Sequence, residues 1–163
     1  MPKAKTIFLD RDGVINRQPA PHDYVKRWEE FEFLPGVPQA IRRLNEAGYR
    51  VLVVTNQRGI ALQRMTTDDV NDIHSHMREE LAKNGAHVDG IYVCPHDYGQ
   101  CRCRKPDIGL FLQAERDFEI DKRASYMIGD DKSDIIAGQR YGVKGIRTCD
   151  LPDAVSRILE ESP

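Results

Sequence analysis

Two carboxylates one residue apart, Asp10 and Asp12, close an apolar run and are followed by a glycine, in the stretch Thr6-Ile7-Phe8-Leu9-Asp10-Arg11-Asp12-Gly13. The run predicts a buried strand. Alternate side chains on a strand point the same way, so a spacing of two lets both carboxylates face one site. Gly13 allows the backbone to turn close to a ligand. Two acids at a strand's carboxyl end can hold a hard cation and divide labour as nucleophile and acid/base. Taken alone, the pattern reads equally well as a polar strand end running into a turn.

Three more polar groups stand where predicted strands or helices would bring them to the same edge. Thr55 and Asn56 close the run Val51 to Val54, Asp130 and Asp131 follow Met127-Ile128-Gly129, and Lys105 precedes a helix. Each alone is an ordinary turn or cap residue, but together they make a phosphoryl-transfer set. Asp10 can attack phosphorus and carry an aspartyl-phosphate. Asp10, the backbone carbonyl of Asp12 and Asp130 supply a minimal oxygen set for Mg²⁺. Thr55 and Lys105 can hold the remaining phosphoryl oxygens. Asp12 can protonate the leaving oxygen and then activate water. Asp134 reads either as an acid orienting Lys105 or a metal-bound water, or as a helix-start residue.

A second metal set lies nearby. Cys94-x-His96-x4-Cys101-x-Cys103 offers three thiolates and one imidazole, a closed tetrahedral Zn²⁺ set with a structural role. Arg104 and Lys105 directly follow its last ligand, so zinc would fix the loop that aims both cations. The fourth cysteine, Cys149, stands outside the set and is expected as a free thiol.

The elements that must position these groups alternate. Strands are predicted at Lys5 to Asp10, Arg50 to Thr55, Asp89 to Val93, Ala124 to Ile128 and Lys144 to Arg147. Between them, helices are predicted after Pro38, ending at Gly48, from Thr66-Thr67 to Asn84, over Gly109 to Phe118, from Ser133 or Asp134 to Tyr141, and over Pro152 to Glu160. Residues 11–34 lack periodicity and read as a structured loop with a short hairpin. His74 and His76, two apart on the second helix, do not share a face and are expected at the surface. Strands alternating with helices predict a Rossmann-like α/β fold: a parallel sheet of about five strands covered on both faces. Ligands of such sheets sit outside the carboxyl ends of the strands.

The chain has 163 residues, 40% hydrophobic and 31% charged, with a net charge of −2. These numbers suit one globular domain over 1–163 and give no electrostatic footprint for nucleic acid or an anionic membrane. No apolar run approaches a membrane span, and the one after the basic N-terminus is too short for a signal peptide. A cytoplasmic monomer acting on a small phosphorylated metabolite is expected.

The four sequence blocks resemble the motifs of haloacid dehalogenase-type phosphohydrolases from Lys5 to about Arg147. Within that group, Phe8 to Gly13, Thr55 to Ala61, Cys94-Pro95-His96 and Cys101 to Pro106 are similar to the small capless, zinc-containing branch. That branch includes D-glycero-D-manno-heptose 1,7-bisphosphate 7-phosphatases and histidinol-phosphate phosphatases. The resemblance implies no large cap domain, Asp10 as nucleophile, Asp12 as acid/base, and Thr55 and Lys105 as phosphoryl clamps. It also implies that Arg104, Asn56, Gln57, Arg58, Asp23, Tyr24 and Asp131 surround the substrate. A phosphorylated heptose is the first expectation, histidinol phosphate the second. A silent sugar-phosphate binder is the reading from another class, which the intact acid set opposes. Arg58 stands where a small residue is frequent, Asp131 where some heptose enzymes carry a lysine, and the zinc loop is short.

Overall fold

The computed structural model describes residues 3–161; the two residues at each end, included in the single-domain expectation, lie outside it. Its strands are β1 (Thr6–Leu9), β2 (Arg50–Asn56), β3 (Gly90–Cys94), β4 (Tyr126–Gly129) and β5 (Lys144–Arg147). They form one sheet in the order β3-β2-β1-β4-β5, with every pairing parallel. Helices α1 (Val37–Glu46), α2 (Thr67–Lys83), α3 (Gly109–Asp117), α4 (Lys132–Tyr141) and α5 (Leu151–Glu161) connect or follow the strands.

The helices cover both faces, which is why β1 and β2 are continuous apolar runs rather than alternating ones. Ile7 and Leu9 pack with α1, α2 and α5. Phe8 points the other way, onto α3 and α4, and its ring lies 4.8 Å from that of Phe111. All four residues of β1 are fully buried. At roughly 1.5–3 kcal/mol for each large apolar side chain, this burial anchors the strand that ends at Asp10.

Local chemistry sets the helix ends. Thr66 caps α2 through the Asp69 N–H, and Asp69 returns a bond to the Thr66 N–H. Gly48 has φ 84°, the left-handed conformation that ends α1 after Ala47. Pro38 is the second residue of α1, not the first, because Gly36 (φ 73°) already starts the helix at Val37.

The loop from 11 to 34 is closed by an antiparallel bridge between Asn16 and Phe33, with Arg17 N–H donating to Glu32 and Leu34 N–H to Ile15. It carries one 3-10 turn, Trp28–Glu30. Among the described residues no helix is long and apolar enough to cross a membrane.

Candidate active site

The strand order reverses between β1 and β4. β2 and β3 lie to one side of β1, β4 and β5 to the other, so the connections leaving β1 and β4 part and open a crevice at their carboxyl ends. Asp10 follows β1 and Asp130 follows β4, which places both acids in that crevice. A Cβ on Gly13 would lie 2.0 Å from Asp130 Oδ2. Gly13, at φ 93°, therefore makes room for Asp130 as well as for the turn.

Lys105 is the central cation. Its ammonium donates to Asp10 Oδ1 (2.9 Å) and Val54 O (2.8 Å) and pairs with Asp134 Oδ1 at 2.6 Å. Burial alone would favour neutral Lys105, but the Asp10 and Asp134 charges outweigh it and raise its pKa. Asn56 grips the lysine's main chain, accepting from Lys105 N (3.1 Å) and donating to Lys105 O (3.2 Å). The resemblance placed Asn56 against substrate, but here its amide is used to position Lys105.

Asp134 performs both roles its position allowed. Oδ2 accepts from Asp131 N–H, completing the capping box of α4, while Oδ1 holds Lys105. Two carboxylates share one lysine in a buried place. Desolvation, only partly relieved by Lys105, raises the Asp10 pKa from 3.8 to about 8.

Asp12 sits in the opposite condition. Burial would raise its pKa, but the Arg11 charge and hydrogen bonds from Asn16, Arg11 and Gln57 hold it below the usual carboxylate range. Three donors reach Oδ1: Arg11 Nε (3.1 Å), Arg11 Nη2 (2.9 Å) and Asn16 Nδ2 (2.9 Å). Among the described residues Oδ2 receives only Gln57 Nε2, at 3.2 Å. Gln57 also donates to the buried Thr55 hydroxyl at 2.9 Å. Gln57, expected at the substrate, is buried and links Asp12 to Thr55.

The donor sets fit two metals. Carboxylate oxygens of Asp10, Asp130 and Asp134 lie within 4.8 Å of one another, and Asp130 Oδ1 is buried without a hydrogen-bond partner. Three acids against one lysine leave an excess of negative charge, which a hard divalent cation on oxygen ligands would answer. Gln18 reaches the same place, donating to Asp130 Oδ2 at 2.8 Å. In the second set, Cys94, His96, Cys101 and Cys103 each aim one atom at a common centre, all within 4.8 Å. Sγ atoms stand 2.9 to 3.5 Å apart and His96 Nδ1 is 3.3 Å from Cys103 Sγ. Four soft and borderline donors converging this closely match a tetrahedral zinc site with no open position. Cys149 is exposed and outside the set.

The remaining expected residues are placed unevenly. Arg104 leans on the Tyr98 ring, its Cζ 4.3 Å from the ring centre, and its buried Nη1 has no hydrogen-bond partner. A cavity of about 330 Å³ beside it is lined by Tyr98, Arg104, Lys105, Asp131 and Ser133, among others. Arg58 also lies against Tyr98 (4.5 Å) and is ion-paired to Asp97 at 2.5 Å, so its charge is already answered. Asp131 spends Oδ2 on Ser133 N–H and Oγ–H as the α4 cap. Asp23 is tied to Lys26 (2.8 Å) and Tyr24 N–H. Tyr24 packs on Gly59.

The expectation of two surface histidines fails at His74. Its side chain is buried, with Nε2 3.1 Å from Arg11 Nη1. Burial first, then the Arg11 and Arg78 charges, lower its pKa from 6.5 to about 3. His76 remains partly exposed and stacks on Trp28. The signal for His74 was in the sequence: position 74 is four after Val70 and three before Met77, inside the arc of the α2 apolar stripe.

A half-buried acid pair, a lysine clamp and a hydroxyl at the switch point of a capless doubly wound sheet define a phosphohydrolase of the haloacid dehalogenase type, a phosphoric monoester hydrolase. The comparisons agree. The chain belongs to the polynucleotide kinase 3 phosphatase family, whose model matches residues 5–151. A Rhodopseudomonas palustris protein named D-glycero-beta-D-manno-heptose-1,7-bisphosphate 7-phosphatase is 38% identical over 154 residues, 90% of this chain and 84% of its own. A Mycobacterium bovis protein named as the alpha-heptose phosphatase is 44% identical over 131 residues, 79% and 68% of the two chains. The crystal structure of D,D-heptose 1,7-bisphosphate phosphatase from B. bronchiseptica, complexed with magnesium and phosphate, superposes with a TM-score of 0.84 at 32% identity. It covers 97% of this chain and 99% of that one.

Proposed function

We propose that this chain, a single domain over 1–163, is a magnesium-dependent phosphatase that removes one phosphate from a heptose bisphosphate through an aspartyl-phosphate on Asp10. The observation that carries the reaction is the Lys105 ammonium held between Asp10 and Asp134 in the crevice where Asp130 also ends. The heptose rests on the names of the relatives and on Arg104, a cation with a buried unanswered N–H beside an open cavity. Such a donor suits a second phosphate.

Asp10 attacks phosphorus, forming an oxygen–phosphorus bond as the bond to the sugar oxygen breaks. Asp12 gives that oxygen its proton. Asp12 then takes a proton from water, the water attacks phosphorus, and phosphate leaves Asp10. The depressed Asp12 carboxyl suits the second half directly. For the first half, the negative charge of the arriving phosphate raises its affinity for a proton. Lys105 and the Thr55 hydroxyl bind phosphoryl oxygens, and Gln57 keeps Thr55 and Asp12 in fixed relation. Asp10, Asp130 and the Asp12 carbonyl would hold Mg²⁺, which when bound supplies charge neutralisation on the phosphoryl oxygens. Zn²⁺ on Cys94, His96, Cys101 and Cys103 would order the loop that delivers Arg104 and Lys105.

Histidinol phosphate is the second reading: its amine needs a carboxylate, and Asp131 lines the cavity beside Arg104 with only Oδ2 used, on Ser133. The test is kcat/KM with Mg²⁺ across both heptose 1,7-bisphosphate anomers, histidinol phosphate and common sugar phosphates. A heptose bisphosphate is expected to lead by at least tenfold. Leadership by histidinol phosphate would overturn the substrate, and no turnover of any phosphomonoester would overturn the reaction.

A further inference from the structure

His74 has no part in the chemistry above, and its partner Arg11 enters only through the Asp12 carboxyl. Arg11 is the largest fully buried side chain in the described chain. Arg11 lies past the end of β1, in the turn where its carbonyl accepts from Val14, Ile15 and Asn16 N–H, and its guanidinium spans from Asp12 to His74 on α2. A guanidinium has five N–H donors and no acceptor, so burial is tolerable only if acceptors meet it. Two of its donors, on Nε and Nη2, end on Asp12 Oδ1. Nη1 ends on His74 Nε2.

The tautomer follows from the partner. Arginine can only donate, so His74 Nε2 carries the lone pair and Nδ1 the proton. A protonated imidazole would place two cations 3.1 Å apart with no acceptor between them. The guanidinium is planar and rigid. Holding Nη1 from one side therefore sets the direction of Nε and Nη2 on the other, a fork fixed at both ends.

We propose that His74 is a positioning residue for catalysis: through Arg11 it locks Asp12 Oδ1, so that Oδ2 is the oxygen that carries the proton to and from the reacting groups. The inference rests on the acid/base role proposed for Asp12. The bond count supports the choice of oxygen, since Oδ1 accepts from three donors and Oδ2 from one, at 3.2 Å. A proton on Oδ1 would break one of the three, whereas a proton on Oδ2 breaks none of them. Asn16 and Gln57 fix the same carboxylate from the loop and from β2's end, and Arg78 is the other charge facing His74 on α2. A groove of about 320 Å³ lined by Asn71, His74, Ser75, Arg78, Ile91 and Val93 reaches the back of the imidazole from solvent. A side chain of similar size can therefore be exchanged there with little overpacking.

The test compares His74→Gln with His74→Met in the full chain. Glutamine places an amide oxygen where Nε2 lies and keeps the acceptor; methionine has similar length and keeps none. Each is assayed for kcat/KM on p-nitrophenyl phosphate, whose leaving group departs without a proton, and on heptose 1,7-bisphosphate, whose alkoxide needs one. His74→Met is expected to lose about tenfold more on the sugar ester than on the aryl ester, a fraction of the roughly 10²–10⁴ that general acid catalysis supplies. His74→Gln is expected to stay near wild type on both. Equal losses on the two esters in His74→Met, or identical behaviour of the two variants, would overturn the role of His74. Asp12→Asn is the control: if it fails to separate the esters, the acid role of Asp12 falls instead. Should the wild type ignore the heptose, the substrate reading falls and a hexose 6-phosphate takes its place in the comparison.

Discussion

Replacing Gly13 with alanine tests the geometry of the crevice. A Cβ built on Gly13 meets Asp130 Oδ2 at 2.0 Å, its Cγ at 2.5 Å and Oδ1 at 3.0 Å. Real Cβ atoms keep at least about 3.0 Å from such neighbours, so Asp130 must retreat by about 1 Å. Alanine must also adopt φ 93°, at a cost of about 1–2 kcal/mol. Asp130 can retreat only by giving up its bond from Gln18 (2.8 Å) and its place beside Asp10. The structural cost should be modest, about 1–3 kcal/mol in all, or a fall in Tm of about 2–4 °C per kcal/mol for a chain of this size. The functional cost should be larger, because a metal that demands near-ideal octahedral oxygens does not tolerate a ligand displaced by 1 Å. The expected result is a rise of at least tenfold in the Mg²⁺ concentration needed for half-maximal binding, read by calorimetry on folded protein and again by activity. Wild-type Mg²⁺ dependence in Gly13→Ala would refute the placement of Asp130 as a metal ligand against Gly13.

Asp10→Asn is expected to lower kcat by roughly 10³ or more while leaving Tm within a few degrees, since the amide has the size of the carboxylate and keeps an oxygen for the Lys105 ammonium; wild-type turnover in this variant would exclude the aspartyl-phosphate route. Metal analysis should find one zinc per chain, and its removal by chelation should abolish activity while far-UV circular dichroism changes little; full activity without zinc would remove the proposed role of the Cys94–Cys103 loop. Acid stability should depend on His74. It binds a proton at about 3 in the folded chain against 6.5 ordinarily, so the unfolded chain holds more protons between those values. Its stabilisation is fully present above pH 6.5 and is lost as pH falls toward 3, at about 1.4 kcal/mol per pH unit. Urea titrations should show His74→Met losing less stability than wild type between pH 6.5 and 4; parallel curves would mean that His74 is not buried neutral.

Much of the fold is legible in the sequence. The apolar runs before Asp10, Asp130 and Thr55 announce strands, the Thr66–Asp69 cap announces α2, and alternation announces a parallel sheet. Boundaries moved by a residue or two because capping by Gly36 and Asp131 decides where α1 and α4 begin. The convergence of Cys94, His96, Cys101 and Cys103 was legible because all four fall within ten residues, where spacing alone constrains them. Substrate-facing residues were less legible. Asn56, Gln57 and Asp131 have side chains that serve a ligand or a neighbour equally well; here Asn56 and Gln57 bond neighbours, while Asp131 both caps α4 and lines the cavity beside Arg104.

By itself, then, the sequence determined the elements, the acid pair, the two candidate metal sets and the class of chemistry. These follow from local periodicity and from donors close together along the chain. Tertiary structure alone decided which partner each polar atom meets. Lys105 and Asp134 are joined only when α4 docks on the sheet, Asn56 finds the Lys105 main chain from a different strand, and His74 turns inward because α2 packs over Arg11. Such contacts bring together groups tens of residues apart, and a side chain's ability to hydrogen-bond does not say with what. The physical reason is burial: once the sheet and helices close, a buried group such as the Arg11 guanidinium takes its acceptors from inside the fold, and only the packing determines which.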